Sequence, residues 1–181
     1  LYAPKGSPLP VGAKIRNPAL AATLKRLATQ GPEAFYTGET ADAISAAVAG
    51  SWRNPTTLTA ADLAGYRAKE RPAVCGAYRG YRICGIGLPS SGAVTILQML
   101  GMLERFDLKA MGPDDPHAWH LIAEAMQLAY ADRDLYLGDS DFVAVPLAGL
   151  LDRAYLAKRS RLIAADHALG RYEPGTPPGA Q

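Results

Sequence analysis

The chain has 181 residues, of which 49% are hydrophobic and 20% are charged, and its formal net charge at pH 7 is +2. This is the composition of a globular protein, and the length is sufficient for one domain with a hydrophobic core. The charges are spread along the sequence without a run of five like charges, which excludes an electrostatic footprint for nucleic acid or for an anionic membrane surface. No apolar stretch approaches the roughly 20 residues of a membrane span, so no spanning helix is expected.

The N-terminal third predicts a loop followed by helices. Its opening stretch is rich in Pro and Gly and lacks the basic and apolar regions of a signal peptide, which we interpret as the middle of a longer precursor. An Asn-Pro pair at 17–18 is typical of an N-cap with Pro at the first helical position, and it predicts a helix that ends at Gly31. An Ala-rich helix is predicted over 41–50, and Thr59 with Asp62 forms a capping pattern for a short helical turn.

The apolar period changes after this region and predicts a β-hairpin. Residues 74–78 and 81–88 read as two strands joined by an Arg-Gly turn at 79–80. With that turn, Cys75 lies opposite Cys84 at a non-hydrogen-bonded position, where Cα atoms approach to about 4.5 Å, a distance that allows a disulfide. The alternative is a pair of small buried thiols, and the sequence leaves both open.

The second half of the chain predicts three helices. The first spans 91–103 and is apolar on so many sides that it should be enclosed in the core. An Asp-Pro pair at 115–116 opens the longest helix, which ends near Gly138, and a last helix is predicted over about 150–168. The tail, 170–181, has no periodicity and is predicted to be mobile or extended. One face of the longest helix carries Trp119, Ala123, Met126 and Tyr130.

Two polar clusters could bind a metal ion by their residue types. His117, His120 and Glu124 share a helix face, but their spacing is not HExxH and the first lies in the opening turn, where polar residues are usually solvated. A second cluster contains Asp132, Asp134, Asp139 and Asp141. It lacks the Gly and Glu of a calcium loop, so ion pairs with Arg133 and capping of the helix end are the favoured interpretation.

The serines at 90–91 join a strand to a helix, where backbone N–H groups can bind an anion or an oxyanion. Pro89 precedes them and Gly92 follows, unlike a GxSxG elbow, so we interpret them chiefly as helix caps, with lining of a substrate site as the alternative. His167 has no paired acid at an informative spacing. A Ser-His-Asp triad within this chain is therefore not predicted.

Four phrases occur in an order that identifies a family. They are NPALAATLKRLATQGPEAFYTG, TLTAADLAGYRAKERPAVCGAYRGYRI, LPSSG and AEAMQLAYADRDLYLGDSDF. In this order the chain resembles the later part of the large subunit of the gamma-glutamyltranspeptidases and their cephalosporin acylase relatives. The resemblance implies an α+β fold, in which this mostly helical chain with one β-hairpin is part of a four-layer αββα N-terminal-nucleophile hydrolase sandwich completed by a partner chain.

The resemblance also implies how such a protein matures. Family members are made as one precursor, a zymogen that cuts itself immediately before a threonine, which then becomes the nucleophile. The cleavage site is expected directly after Gln181, so 1–181 is one single-domain fragment and 170–181 is its flexible tail. No catalytic residue is assigned to this chain, because the nucleophile lies on the small subunit and the substrate-binding residues lie there or upstream of Leu1. No cofactor is implied.

The implied activity is that of a gamma-glutamyltransferase or glutathione hydrolase. The threonine attacks a γ-glutamyl amide such as glutathione and transfers the acyl group to water or to an amino acid. The alternatives are a cephalosporin or glutaryl acylase of the same family and a non-catalytic scaffold module. The small subunit from the same precursor is the expected obligate partner, with no nucleic acid and no membrane span. Members of this family are typically periplasmic or secreted, so the resemblance implies such a location, and a Cys75–Cys84 disulfide would agree with it.

Overall fold

A computed structural model describes residues 2–3 and 6–180 and divides the chain into two compact units, 1–69 and 70–181. The described residues of unit 1 form α1 (Pro18–Gln30), α2 (Glu33–Tyr36), α3 (Gly38–Ala49) and α4 (Ala60–Gly65). Those of unit 2 form β1 (Val74–Tyr78), β2 (Tyr81–Gly85), α5 (Gly92–Leu103), α6 (Leu108–Met111), α7 (Pro116–Tyr136), α8 (Leu147–Leu150) and α9 (Arg153–Ser160). The mostly helical α+β class with one hairpin is confirmed, and the assignment to a single domain stays a prediction.

Side chains cap α1 and α4 where the sequence predicts. Asn17 Oδ1 accepts a hydrogen bond from the N–H of Leu20 at 3.0 Å, and α1 ends at Gly31, whose φ of 78° lies in the left-handed region. Thr59 and Asp62 form a reciprocal capping box at the start of α4, with hydrogen bonds of 2.8 and 3.2 Å. The local sequence therefore sets the ends of these helices.

Unit 1 buries little apolar surface by itself. Ala41 is its only apolar side chain that is fully buried among the described residues. The predicted apolar face of α1 stays about half exposed, at 53% for Leu20 and 55% for Leu24. Amphipathic helices normally gain most of their stability by covering such a face.

The hairpin has the predicted register. β1 and β2 are antiparallel, with Tyr78 opposite Tyr81 and Cys75 opposite Cys84. Arg79 and Gly80 both have positive φ, 48° and 84°, as a two-residue turn between twisted strands requires. The cysteines form a disulfide with a Cα–Cα distance of 4.1 Å. β2 ends at Gly85, so the predicted strand over 81–88 is too long by three residues.

The core of unit 2 lies where α5 packs against α7 and α9. Val94, Leu97 and Met102 of α5 are buried, which confirms that this helix is enclosed on most sides. Gly101 allows the close approach of α9, because a Cβ atom at this position would lie 2.6 Å from Leu156 Cδ1. The largest part of this core is an apolar cluster where α5, α7 and α9 meet: Met102, Leu103, Leu121, Ala125, Leu128, Ala129, Tyr155, Leu156 and Ile163.

The last helix is shorter than predicted. α9 ends at Ser160, whereas the sequence predicts helix over about 150–168. The guanidinium of Arg105 donates to the carbonyl oxygens of Ser160 at 3.1 Å and of Ile163 at 2.9 Å. The hydroxyl of Ser160 also donates to the carbonyl oxygen of Met102 at 2.6 Å. These hydrogen bonds between distant residues hold the chain in a turn, and no local sequence pattern predicts them.

The longest helix, α7, buries a different face from the apolar one that the sequence emphasises. Trp119, Met126 and Tyr130 are 61%, 43% and 45% exposed, and Ala123 is exposed as well. The buried face carries Ala118, Leu121, Glu124, Ala125, Leu128, Ala129 and Asp132. Neither α7 nor any other helix within 2–3 and 6–180 has both the length and the apolar character that crossing a bilayer requires.

Candidate functional site

A series of polar contacts joins α7 to the C-terminal segment, residues 161–180. Over this range the segment forms neither helix nor strand, and it runs beside α7 in the direction of that helix. The α7 side chains involved are, in order, His120, Glu124, Asp132 and Tyr136. Their separations are multiples of four residues, so they follow one another at intervals of about one or two turns. The segment that leads to the predicted cleavage site is thus attached along most of α7.

Asp132 is the centre of this attachment. Its carboxylate is buried, and Oδ2 accepts hydrogen bonds from Gln98 Nε2 at 3.1 Å and from the hydroxyl of Tyr155 at 2.6 Å. Its Oδ1 accepts from the backbone N–H of Gly175 at 2.8 Å and lies 3.0 Å from a guanidinium nitrogen of Arg159. A carboxylate offers about four acceptor sites, and all four are used here. Such saturation is what a buried charge requires.

All four groups around Asp132 act as hydrogen-bond donors to its carboxylate. Arg159 is 5% exposed and also donates to the carbonyl oxygen of Leu128 at 2.9 Å, so its charge is compensated inside the core. Burial, and then the hydrogen bond to Asp132, raise the pKa of Tyr155 well above its ordinary value of 10.0. The phenol therefore stays protonated and remains a donor even at alkaline pH.

The last described residues of the segment pack closely against α7 and α8. The hydroxyl of Tyr136 donates to the carbonyl oxygen of Gly175 at 2.7 Å, and Pro177 is fully buried. A Cβ atom at Gly149 would overlap the carbonyl oxygen of Pro178, so only glycine fits this position of α8. The backbone from 175 to 178 is thus in direct contact with α7 and α8.

Glu124 attaches the segment further upstream. It is 2% exposed, its Oε2 accepts from the N–H of Leu169 at 3.2 Å, and its Oε1 accepts from the hydroxyl of Tyr172. That hydrogen bond, followed by burial, raises the pKa of Tyr172.

The two histidines considered with Glu124 as metal ligands have other partners. His120 Nε2 donates to the carbonyl oxygen of Ala164 at 2.9 Å, and His117 Nδ1 lies 3.0 Å from Asp115 Oδ1. Within the described residues no His, Cys, Asp and Glu side chains form a metal-binding group of three or more.

The four aspartates considered together have separate roles. Asp134 pairs with Arg133 at 2.6 Å, as predicted. Asp139 and Asp141 instead pair with Arg71, at 3.4 and 2.6 Å. The prediction that Arg133 would be their partner is therefore wrong, because the chain after α7 folds back towards the start of unit 2. Asp132 pairs with Arg159 as described above.

The serines at 90–91 are not side-chain caps in the predicted way. Ser91 is at the N-cap position of α5, but its side chain makes no capping hydrogen bond. Its backbone is already helical, with φ −82° and ψ −16°, whereas a capping side chain normally extends from a non-helical residue. The Ser91 hydroxyl instead accepts from Arg133 Nε at 3.0 Å. His167 Nδ1 lies 2.8 Å from Oδ1 of the adjacent Asp166, and both side chains are exposed.

An open cavity of about 500 Å³ lies between the hairpin, α5 and α9. Its charged lining residues are Arg79, Glu104 and Arg153, and its apolar wall includes Leu97 and Leu156. The described residues that line it include no serine, threonine or histidine. The cavity therefore offers shape and charge but no nucleophile with an adjacent base.

A family model described as Gamma-glutamyltranspeptidase matches residues 1–178. The chain belongs to the gamma-glutamyltranspeptidase family. The resemblance in the four sequence phrases is thereby confirmed. The predicted cleavage residue, Gln181, lies outside both the matched range and the described residues.

Relatives of both expected kinds are found within the gamma-glutamyltranspeptidase family. The chain is 42% identical over 165 residues to the Acylase ACY 1 proenzyme of Pseudomonas sp. (strain V22), covering 91% of this chain and 29% of that protein. It is 42% identical over 151 residues to the Glutathione hydrolase proenzyme of Escherichia coli (strain K12), covering 83% and 26%. The Helicobacter pylori gamma-glutamyltranspeptidase structure superposes with a TM-score of 0.75 at 38% identity, covering 91% of this chain and 47% of that one.

The chain therefore spans less than a third of the length of these two curated relatives of the gamma-glutamyltranspeptidase family. Both relatives are named proenzymes, which implies that each is processed.

The sequence did not reveal that Asp132 and Glu124 bind the C-terminal segment. One signal was present: both residues are in helical phase with the buried Leu121, Leu128 and Ala125.

Proposed function

We propose that this chain is the large-subunit portion of a gamma-glutamyltransferase or glutathione hydrolase that is made as a precursor and cuts itself directly after Gln181. The observation that carries the proposal is 42% identity over 151 residues to the Glutathione hydrolase proenzyme of Escherichia coli (strain K12). The Helicobacter pylori gamma-glutamyltranspeptidase, at 38% identity and a TM-score of 0.75, supports it. The position of the cut comes from the resemblance in the sequence phrases.

The proposed chemistry takes place on the partner small subunit. The new N-terminal threonine attacks the carbonyl carbon of a γ-glutamyl amide with its hydroxyl oxygen, while its own α-amine accepts the hydroxyl proton. The amide C–N bond breaks, the leaving amine takes up that proton, and an acyl-threonine ester remains. Water or the amine of an amino acid then attacks the ester, which releases glutamate or a new γ-glutamyl amide and restores the threonine. The amine can act as base only after the peptide bond before it is cut.

The described chain supplies the scaffold for this chemistry in our proposal. α5 and α7 form outer layers of a four-layer αββα sandwich, and the partner provides most strands. The exposed apolar face of α7 supports this role, since Trp119 is 61% exposed and Met126 and Tyr130 are nearly half exposed. Covering such large side chains would make the two subunits an obligate pair. We expect the isolated chain to be poorly soluble.

A second candidate function has specific support. The Acylase ACY 1 proenzyme of Pseudomonas sp. (strain V22) is 42% identical over 165 residues, which favours an acylase as strongly as the first relative favours a hydrolase. A glutaryl group differs from a γ-glutamyl group only by the absence of the α-amino group. The two activities are therefore separated by whether the site binds that ammonium.

A comparison of two chromogenic amides decides between these functions. We expect the cleaved full-length protein to hydrolyse γ-glutamyl-p-nitroanilide with a kcat/KM at least about 100-fold above that for glutaryl-p-nitroanilide, because polar groups that pair with the ammonium are left unpaired by the analogue. Absorbance of released p-nitroaniline measures both rates. A preference for the glutaryl amide would assign the acylase activity instead. Turnover of neither amide by cleaved protein would favour the non-catalytic scaffold.

We further propose a periplasmic or secreted location. The disulfide between Cys75 and Cys84 supports it, since such bonds persist in oxidising compartments. Intact-mass measurement of protein alkylated without reduction should show no added alkyl group on this chain. Alkylation of both cysteines in freshly isolated protein would contradict the proposed compartment.

A further inference from the structure

At Gly175 the C-terminal segment is held by hydrogen bonds to its backbone. Gly175 has both of its backbone polar groups engaged: its N–H donates to Asp132 at 2.8 Å and its carbonyl oxygen accepts from Tyr136 at 2.7 Å. A Cβ atom at Gly175 would overlap the hydroxyl of Tyr155. Only glycine therefore fits at this position, because a side chain would prevent the close approach of the backbone to the buried carboxylate.

A second contact follows immediately along the chain. Pro177 is fully buried, and the carbonyl oxygen of Pro178 lies against Gly149 so closely that a methyl group there would overlap it. The two prolines fix φ near −65°, which limits the ways in which the segment can leave the surface of unit 2. The N–H of Ala180 then donates to the carbonyl oxygen of Pro177 at 3.1 Å and closes a turn.

We propose that Asp132, Tyr136 and Gly149 form a tail clamp that holds 175–178 and thereby presents the peptide bond after Gln181 for self-cleavage. This inference rests on the proposed function, since it concerns the cut that the precursor makes in itself. Asp132 and its two neighbours act as positioning residues, because they touch the segment and not the reacting bond.

The reach of the chain shows why the clamp matters. Beyond Pro178, three residues extend to Gln181, so the clamped junction lies within about 10 Å of the clamp at about 3.5 Å per residue. If the contacts of Pro177 and Pro178 are lost together, the nearest fixed point is Gly175, and six residues reach about 21 Å. The volume available to the junction grows about eightfold. Intramolecular reactions slow in proportion to such a loss of effective concentration.

The test compares two glycine substitutions in the full-length precursor. Gly149→Ala places a methyl group against Pro178, whose atoms are the three nearest to that Cβ. Gly101→Ala is the matched control, because its methyl group strains the packing of α5 against Leu156 of α9 without a contact to 175–178. Cell-free synthesis with a short radioactive pulse, followed by a chase and gel electrophoresis, measures the rate at which precursor becomes two chains.

We expect Gly149→Ala to slow cleavage about five- to tenfold and Gly101→Ala to change it by less than twofold, even where the control lowers the thermal midpoint as much. A tyrosine pair extends the comparison: Tyr136→Phe should slow cleavage two- to fivefold, whereas Tyr81→Phe, on the exposed hairpin, should not. Trypsin should also cut after Arg171 faster in the Gly149→Ala precursor than in the Gly101→Ala precursor.

The outcomes separate the clamp from the function on which it rests. Cleavage of the Gly149→Ala precursor at the wild-type rate would overturn the clamp and leave the proposed function intact. Equal slowing by Gly149→Ala and Gly101→Ala would also overturn it, because the effect would then be one of general stability. Failure of the wild-type precursor to cleave would overturn the proposed function and the clamp with it.

Discussion

Asp132→Asn should lower the free energy of unfolding of unit 2 by about 3–5 kcal/mol, because it leaves Arg159 as an unpaired buried charge. The carboxamide NH₂ group would also face donors, since all four groups around Asp132 donate to it. In the full-length protein we expect the thermal midpoint of this unit to fall by more than about 10 °C. Hydrogen exchange of the α7 amides measures the same loss locally.

The control for this substitution lies two residues along the same helix. Asp134→Asn removes a surface ion pair with Arg133, in which the aspartate is 69% exposed, and should cost less than about 1 kcal/mol. Combining Asp132→Asn with Arg159→Met removes both buried charges and should recover part of the lost stability. Equal thermal midpoints for the Asp132→Asn and Asp134→Asn proteins would show that the buried ion pair does not stabilise the packing of α7 against α9.

Alanine in place of the threonine expected directly after Gln181 should abolish both maturation and turnover. Without the hydroxyl, the precursor has no nucleophile for its own peptide bond, and its α-amine stays locked in that bond. We expect a single uncut chain on a denaturing gel after overnight incubation. Hydrolysis of γ-glutamyl-p-nitroanilide should fall by at least about 10⁴-fold.

Serine at the same position is the matched variant, because it keeps a hydroxyl beside the amine that cleavage releases. It should retain cleavage and turnover at reduced rates. If the alanine variant were cut at the same place and turned over substrate, the nucleophile would lie elsewhere, and the assignment of no catalytic residue to this chain would have to be abandoned.

The parts of the fold that follow from local sequence were predictable. The Asn17–Pro18 cap and the Thr59–Asp62 capping box each use atoms within three residues, so their hydrogen bonds could be inferred from spacing alone. The hairpin register follows from a two-residue turn, which by itself places Cys75 opposite Cys84. Helices α2, α6 and α8 were missed because four residues are too few to show a period.

The parts that depend on distant partners were not predictable in this way. α9 ends at Ser160 because Arg105, 55 residues earlier, binds its carbonyl group. The attachment of Gly175 to Asp132 spans 43 residues and involves a backbone N–H, which carries no side-chain signature. Periodicity indicated the buried character of α5, but the apolar face that it indicated on α7 is exposed, and it does not show which polar group a buried face contacts.

The candidate site shows the same division. The resemblance in four phrases predicted the family, and the family model confirms it over 1–178. The tail clamp could have been suspected from Asp132, an acidic residue in phase with the buried Leu128 and Ala129, since a buried carboxylate needs donors.

The intact masses of both products of the full-length precursor test whether this chain is the large subunit of a self-cleaving enzyme. We expect two chains that remain associated: one that ends at Gln181 and a partner that begins with a threonine bearing an unblocked α-amine. A single uncut chain, or a partner that begins with any other residue, would contradict this expectation.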